Sequence, residues 1–433
     1  MSKINKIKGF FALSPVVVLL VIYLVGSIVA GDFYRIPIAV AFVVASVYAV
    51  AITRGIPLAE RIDTFSQGAA NVRIMLMVWI FVLAGAFAAV AKEMGAVDTT
   101  VALTLNFVPG NFLPAGIFLA TCFISLSIGT SVGTIVALTP VVTALAAQIG
   151  CDVAWLVAIV VGGAFFGDNL SFISDTTIAA TQTQGCSMRS KFRANLRLVL
   201  PAAIVSLLIY SLSGASVADV TAPSFSLFDT IKVIPYLIVI IAALMGVNVL
   251  LVLLLGTIVA AVIGLMFGEF DVIGFFTACG SGIASMCELI IVTMLAGGLL
   301  EMVRVNGGID FIINLITRRI RSRRIAEGSI ALLTALANVC TANNTIAILT
   351  VGTISRDISH KFGISPQRAA SILDTTSCFV QGLLPYGAQL LMASGLALVS
   401  PLAIIPNLYY PLCVGVAIVL SILLRNFVKR KSN

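Results

Sequence analysis

Two aspartates seven residues apart, Asp168 and Asp175, interrupt an otherwise apolar stretch that reads Gly162-Gly-Ala-Phe-Phe-Gly-Asp-Asn-Leu-Ser-Phe-Ile-Ser-Asp-Thr-Thr177. Beside and between them Asn169, Ser171 and Ser174 add amide and hydroxyl oxygens. Oxygens of these kinds are the hard donors that a small cation such as Na+ requires. On a continuous helix residues seven apart share a face; on a broken one they flank the unwound turn. Withdrawal from water favours the protonated form of a carboxylate, so a carboxylate in such a place can trade a cation for a proton near neutral pH. The expectation is Na+ held at Asp168 and Asp175, and the plainer alternative is a side chain that caps a broken helix end.

A second group of the same kind follows in Leu373-Asp-Thr-Thr-Ser-Cys-Phe-Val-Gln-Gly382, where Asp374, Thr375 and Ser377 are the candidate donors. Two further polar tips break apolar runs. One is Ser127-Ile-Gly-Thr-Ser-Val-Gly-Thr134, with Thr130, Ser131 and Thr134; the other is Ala337-Asn-Val-Cys-Thr-Ala-Asn-Asn-Thr345, with Thr341, Asn343, Asn344 and Thr345. These residues fit substrate or ion contacts and interhelical hydrogen bonds equally well. Glu288 lies in an apolar span, either as a second proton carrier or reaching for the outer interface. Asp98 and Asp310 stand next to glycines as cap or turn residues, and Glu301 with Arg304, three apart, reads as an ion pair. The eight cysteines are scattered singly, and His360 has no ligand set around it. Metal chemistry of the His/Cys kind is therefore unsupported. With no HExxH, GxSxG or paired-His motif, neither an enzyme nor a cofactor is expected.

Carboxylates of this kind need a scaffold that holds them away from water. The chain has 433 residues, 60% hydrophobic and 10% charged, with a mean hydropathy of +1.13. A soluble domain carries about 25% charged residues, so this chain has lipid as its main solvent. Runs such as Phe10–Ala30, Ile36–Ile52, Ile74–Ala91 and Val247–Phe267 are of bilayer-spanning length as helix and lack the alternation of a barrel strand. The first run follows Lys3, Lys6 and Lys8 but is too long for a signal-peptide core, so it is read as a span.

The chain also repeats itself. Leu83-Ala-Gly through Gly95-Ala-Val-Asp98 returns 212 residues on as Leu295-Ala-Gly through Gly307-Gly-Ile-Asp310. Thr130-Ser-Val-Gly-Thr-Ile-Val-Ala-Leu-Thr139 returns as Thr341-Ala-Asn-Asn-Thr-Ile-Ala-Ile-Leu-Thr350, and Asp168-Asn-Leu-Ser171 pairs with Asp374-Thr-Thr-Ser377. Collinear matches of this sort mark a duplication. The expected fold is an all-α polytopic membrane protein of two inverted repeats, 1–213 and 231–425, each with five transmembrane helices, a re-entrant hairpin and an interrupted helix. The hairpins are expected over 113–149 and 326–355, and the interrupted helices over 153–184 and 369–399. Five crossings is an odd number, so the second copy lies upside down relative to the first. With both termini in the cytoplasm, the basic clusters Arg54/Arg61/Arg73, Arg189/Lys191/Arg193/Arg197, Arg318–Arg324 and the tail Arg425–Lys431 all fall inside. The outer loops Gly31–Arg35, Ser213–Thr230 (with Asp219 and Asp229) and Gly268–Ser281 hold little positive charge. The net charge of +8 is thus a topology signal and not a nucleic-acid footprint.

The stretch Gly162–Thr177, preceded by Gly129-Thr-Ser-Val-Gly-Thr134, resembles the NhaC family of Na+/H+ antiporters. The resemblance implies exchange of Na+ for H+ across the cytoplasmic (inner) membrane, with Asp168, Asn169, Ser171, Ser174 and Asp175 at the motif positions. It also implies a homodimer. Relatives in that family move organic acids or amino acids with Na+ or H+, so a coupled carrier of such solutes is the alternative. A channel is disfavoured by two-fold inverted repeats, because filters are more usually rings of identical segments.

Overall fold

The structure, a computed structural model, describes residues 6–25, 37–107, 109–128, 130–171, 174–213, 226–245, 247–318 and 320–429. Gly129, Phe172 and Ile173 of the polar stretches lie outside the described residues, as do Lys3, Asp32, Arg35, Asp219, Arg319, Arg430 and Lys431 among the charged positions. Every regular element among the described residues is helical. A helix closes its own backbone hydrogen bonds, which is the condition for crossing hydrocarbon.

Apart from short 3-10, π and single-turn pieces, the helices fall into two sets in the same order. The first set is Lys6–Leu20, Ile38–Ile52, Leu58–Ala69, Val72–Glu93, Ala96–Phe107, Leu113–Ile128, Ser131–Ile149, Val153–Leu170, Asp175–Gln184 and Met188–Ser213. The second is Ile234–Leu244, Val249–Phe267, Val272–Ser285, Cys287–Val305, Gly308–Thr317, Arg323–Thr341, Asn344–Lys361, Pro366–Leu383, Ala388–Ala397 and Tyr409–Lys429. The turns between them repeat as well. Left-handed residues come in pairs 212 or 213 apart: Gly55 with Gly268, Gly95 with Gly307, Gly150 with Gly363, Gly185 with Leu398. A hydrogen bond repeats in the same way. Ser125 Oγ donates to the Ala164 carbonyl at 2.7 Å, and 213 residues on Asn338 Nδ2 donates to the Ser377 carbonyl at 2.7 Å.

The two sets also pack reciprocally. Val72–Glu93 lies against Val272–Ser285, and its counterpart Cys287–Val305 lies against Leu58–Ala69. Each crossing is made by facing glycines, Gly85 on Gly282 and Gly297 on Gly68, where an added Cβ would land on the opposing carbonyl oxygen. Contacts in which each half gives what it receives are those of halves related by a two-fold axis. The outer surface is apolar. On Val249–Phe267 alone Leu251, Leu254, Leu255, Ile258 and Val262 are exposed, a stripe that water would not tolerate and lipid does. Among the described residues five helices are long and apolar enough to cross a bilayer, or up to seven if each of two bent pairs is one span.

Two details of the sequence reading change. The helices Leu58–Ala69 and Ala96–Phe107, with their counterparts Val272–Ser285 and Gly308–Thr317, were not expected as elements; Val272–Ser285 lies mostly in what reads as an outer loop. All four are 14 residues or shorter, below the length of a full span. The pairing of Asp168 with Asp374 is also out of register. Asp168 stands two residues before the end of Val153–Leu170, and the residue at that place in Pro366–Leu383 is Gln381, 213 positions on; Asp374 lies two turns deeper in its helix.

Candidate functional site

The two broken helices and the two hairpins each stop and restart, and all four restarts open on one cavity. Its rim includes Ser131, Asp175, Asn344 and Ala388, the first residues of Ser131–Ile149, Asp175–Gln184, Asn344–Lys361 and Ala388–Ala397. The cavity is about 370 Å³. Four helix N-termini aimed at one space give it positive partial charge, which carboxylates offset.

Asp168 closes the cavity from the first broken helix. It is 4% exposed, and its Oδ1 accepts the Ser131 N–H at 3.0 Å, capping the second arm of the first hairpin. Asp175 lies at the rim with its side chain exposed. Between the two, Ser174 Oγ and Thr176 Oγ1 are 3.0 Å apart, and the Thr176 hydroxyl reaches the Asp168 carbonyl at 3.4 Å. From the second repeat, Asn343 and Asn344 turn their side-chain oxygens onto the N–H groups of Ile346 and Thr345, both at 3.0 Å.

Two amides unseen in the sequence join the halves. Gln389 Nε2 donates to Ser131 Oγ at 3.1 Å, and Gln381 Nε2 donates both to Gln389 Oε1 and to the Ala342 carbonyl, each at 3.0 Å. A continuous polar seam thus runs from one hairpin tip to the other across the cavity. Ala342 holds a left-handed φ of 47° at its tip, and its carbonyl is the one that accepts from Gln381.

Of the sequence-predicted residues, Thr130, Ser131, Asp168, Ser174, Asp175, Asn343, Asn344 and Thr345 border the cavity. The rest do not. Asn169 donates to the Tyr410 hydroxyl at 3.0 Å, and Ser171 is buried at the end of its helix. Thr134 and Thr341 donate to carbonyls at their own tips, Thr130 and Asn343. Thr375 and Ser377 donate to carbonyls of their own helix, Ser371 and Asp374.

Asp374 is committed elsewhere. Its Oδ2 accepts from Lys191 Nζ at 2.8 Å and from Asn195 Nδ2 at 2.6 Å, and Asp374 and Lys191 are 0% and 1% exposed. Lys191, read in the sequence as part of a cytoplasmic basic loop, is instead inside the helix Met188–Ser213, and its Nζ also donates to the Asn169 carbonyl at 3.0 Å and to Thr177 Oγ1 at 2.6 Å. Asn195 donates to that same carbonyl at 2.7 Å. The ammonium therefore ties both flanks of the first break to the second broken helix. A signal existed: Lys191, Asn195, Leu198, Ala202 and Ser206 recur at helical spacing along the buried face, while Arg189, Arg193 and Arg197 are exposed.

Close packing sets the position of Asp168. A Cβ at the preceding Gly167 would collide with the Oγ, Cβ and backbone carbonyl carbon of Ser125 on the facing hairpin arm. Backbone cannot step aside, so Gly167→Ala is expected to push Val153–Leu170 off the hairpin. The cost is about 1–3 kcal/mol of overpacking, read as a lowered melting temperature in detergent.

Membrane helices folded as two copies around a broken, carboxylate-lined centre are the build of a membrane transporter. The model of the Na+/H+ antiporter family matches residues 4–215 and again 217–427, and the chain belongs to that family. It is similar to the Na+/H+ antiporter NhaC of Alkalihalophilus pseudofirmus, 24% identical over 72% of this chain and 74% of the relative. It is also similar to the malate-2H+/Na+-lactate antiporter of Bacillus subtilis, 22% identical over 79% of this chain and 80% of the relative. These matches bear out the NhaC resemblance. Among solved structures, the YdaH transporter of Alcanivorax borkumensis is similar at 14% identity over 85% of this chain and 87% of that chain, with a TM-score of 0.42.

Proposed function

We propose that this chain exchanges Na+ for H+ by alternating access, with Asp168 and Asp175 as the groups that hold one or the other. The observation that carries the reading is the cavity itself: two carboxylates from one broken helix share it with hydroxyl and amide oxygens from both hairpin tips. A cation entering there meets hard oxygen donors and no histidine or cysteine. The reading includes the inverted arrangement of the repeats, the hairpins as re-entrant segments and both termini in the cytoplasm. Arg189, Arg193 and Arg197, exposed at the start of their helix, support that orientation even with Lys191 withdrawn from the count.

The test uses purified protein in liposomes with a trapped pH dye. Added external Na+ is expected to change the lumenal pH, and Asp175→Asn to weaken the response about tenfold or more, as loss of one charged ligand removes roughly 1.5–3 kcal/mol. Tight vesicles that hold folded protein and show no pH response to Na+ would remove this reading.

The second reading has an observation of its own. A cavity of about 370 Å³ is room for about ten waters at roughly 30 Å³ each, far more than a bare Na+ occupies. Gln182, Asn344, Gln381 and Gln389 on its wall are hydrogen-bonding groups suited to a small organic solute. Similarity to a malate/lactate exchanger points the same way. Uptake of labelled carboxylates or amino acids driven by a Na+ or H+ gradient distinguishes the two.

A further inference from the structure

A second cavity, about 280 Å³, lies against the other restarted helix, Ala388–Ala397, and holds a carboxylate, Glu288, at its wall. Repeat symmetry explains its position. The first cavity is bordered by Leu76 and Met77 and by Ile178 and Gln182. The residues 212 positions after the first two are Glu288 and Leu289, and those 213 after the second two are Leu391 and Gly395; all four border the second cavity. The two cavities are therefore related as the two repeats are. They open on opposite faces: Ile38 borders the second cavity, while the other end of Ile38–Ile52 leads through Leu58–Ala69 to Leu76 at the first. The helix Ile38–Ile52 is fifteen residues long, about 22 Å at 1.5 Å per residue. Between the cavities along the chain stands only Leu390, with Gln389 on one side and Leu391 on the other.

We propose that the second cavity is the outer vestibule of the transport path, and that Glu288 is its cation-gathering group. This rests on the orientation and alternating access proposed above. The two mouths differ at one repeat-matched position: Leu76 in the inner one is Glu288 in the outer one, while the inner carboxylates, Asp168 and Asp175, come from the broken helix. A negative charge in a low-dielectric recess focuses the field and raises the local concentration of cations. Entry from outside is thereby favoured at low external Na+, by a carboxylate separate from the proposed ion-holding pair Asp168 and Asp175, which border the inner cavity. Glu288 also falls in the first turn of Cys287–Val305, where a carboxylate favours the helix's positive end. A helix-end role alone predicts a change in stability and no difference between the two sides.

The experiment compares right-side-out and inverted membrane vesicles. Glu288→Gln is expected to raise the KM for Na+ on the outer side about threefold or more, leaving the inner-side KM and the maximal rate unchanged, with Glu288→Asp close to the native protein. Equal shifts on both sides, a shift confined to the inner side, or no shift overturns the proposal. Independently of transport, Ser394→Cys in a background without native cysteines is expected to react with a membrane-impermeant thiol reagent from the outer side. Reaction from the inner side, or from neither, overturns the vestibule. Native protein that shows no Na+-dependent pH change but whose Ser394→Cys variant labels from outside would sink the antiport reading and leave the vestibule standing.

Discussion

Asp168→Asn is expected to fold, and to lose Na+-dependent proton movement roughly a hundredfold or more. The two halves of that expectation come from different atoms of one side chain. Oδ1 accepts the Ser131 N–H and so caps the hairpin arm Ser131–Ile149. Asparagine keeps an acceptor in that place, so the cap survives. The charge does not. A buried group with 4% exposure that must hold a cation in one state and a proton in another can, as an amide, neither offset the cation's charge nor take up the proton. Charged hydrogen-bond partners contribute about 1.5–3 kcal/mol, and each 1.4 kcal/mol is about tenfold, so the upper end of that range, suited to a buried group, sets the hundredfold figure. Asp168→Ala removes the cap as well, and is expected to lower stability by about a further 1 kcal/mol. Thermal unfolding in detergent reads the first effect and the liposome pH assay the second. If Asp168→Asn exchanged within threefold of the native protein, the carboxylate would be a cap alone and the ion site would lie elsewhere.

The amino-acid sequence announces the broken helices and the hairpin tips because non-helical backbone in hydrocarbon must be chemically marked, by Ser171, Ser174 and Asp175 and the Thr/Asn clusters here. It announces the duplication because turns constrain residue type: Gly95 and Gly307 both need positive φ, so both stay glycine. Register within a helix has no such marker. The four-residue likeness of Asp168–Ser171 to Asp374–Ser377 was read as a repeat match, yet the helix ends put Gln381 opposite Asp168. Extending the 212-residue offset through the broken helices would have pointed near Gln381, a neutral amide that composition does not flag. Lys191 was hidden for a different reason. In Arg189-Ser-Lys-Phe-Arg193 every cation looks alike until the phase of the following apolar face, Leu198, Ala202 and Ser206, is carried back through Asn195 to position 191.

Lys191→Ala is expected to be the most destabilising single change at this centre, at about 3–5 kcal/mol, the cost of stranding one member of a buried ion pair. Asp374 is wholly buried, and its Oδ1 has no hydrogen-bond partner to share the uncompensated charge that would remain. Removing both charges reverses the argument. With Lys191→Met and Asp374→Leu together, neither charge is left without its partner, and apolar replacements of similar volume are commonly neutral or stabilising. The double variant is therefore expected to recover most of the native melting temperature. Transport is not expected to recover with it. Lys191 Nζ holds the Asn169 carbonyl on one flank of the break and Thr177 Oγ1 on the other, and methionine offers neither contact. The freed Asn169 carbonyl keeps only Asn195, and the break flanked by Asp168 and Asp175 loses its anchor to the second repeat. A stable double variant with exchange reduced about tenfold or more, one lost charged contact being worth roughly 1.5 kcal/mol or above, would assign Lys191 to positioning the break. A stable double variant with native exchange would show that the pair serves stability alone.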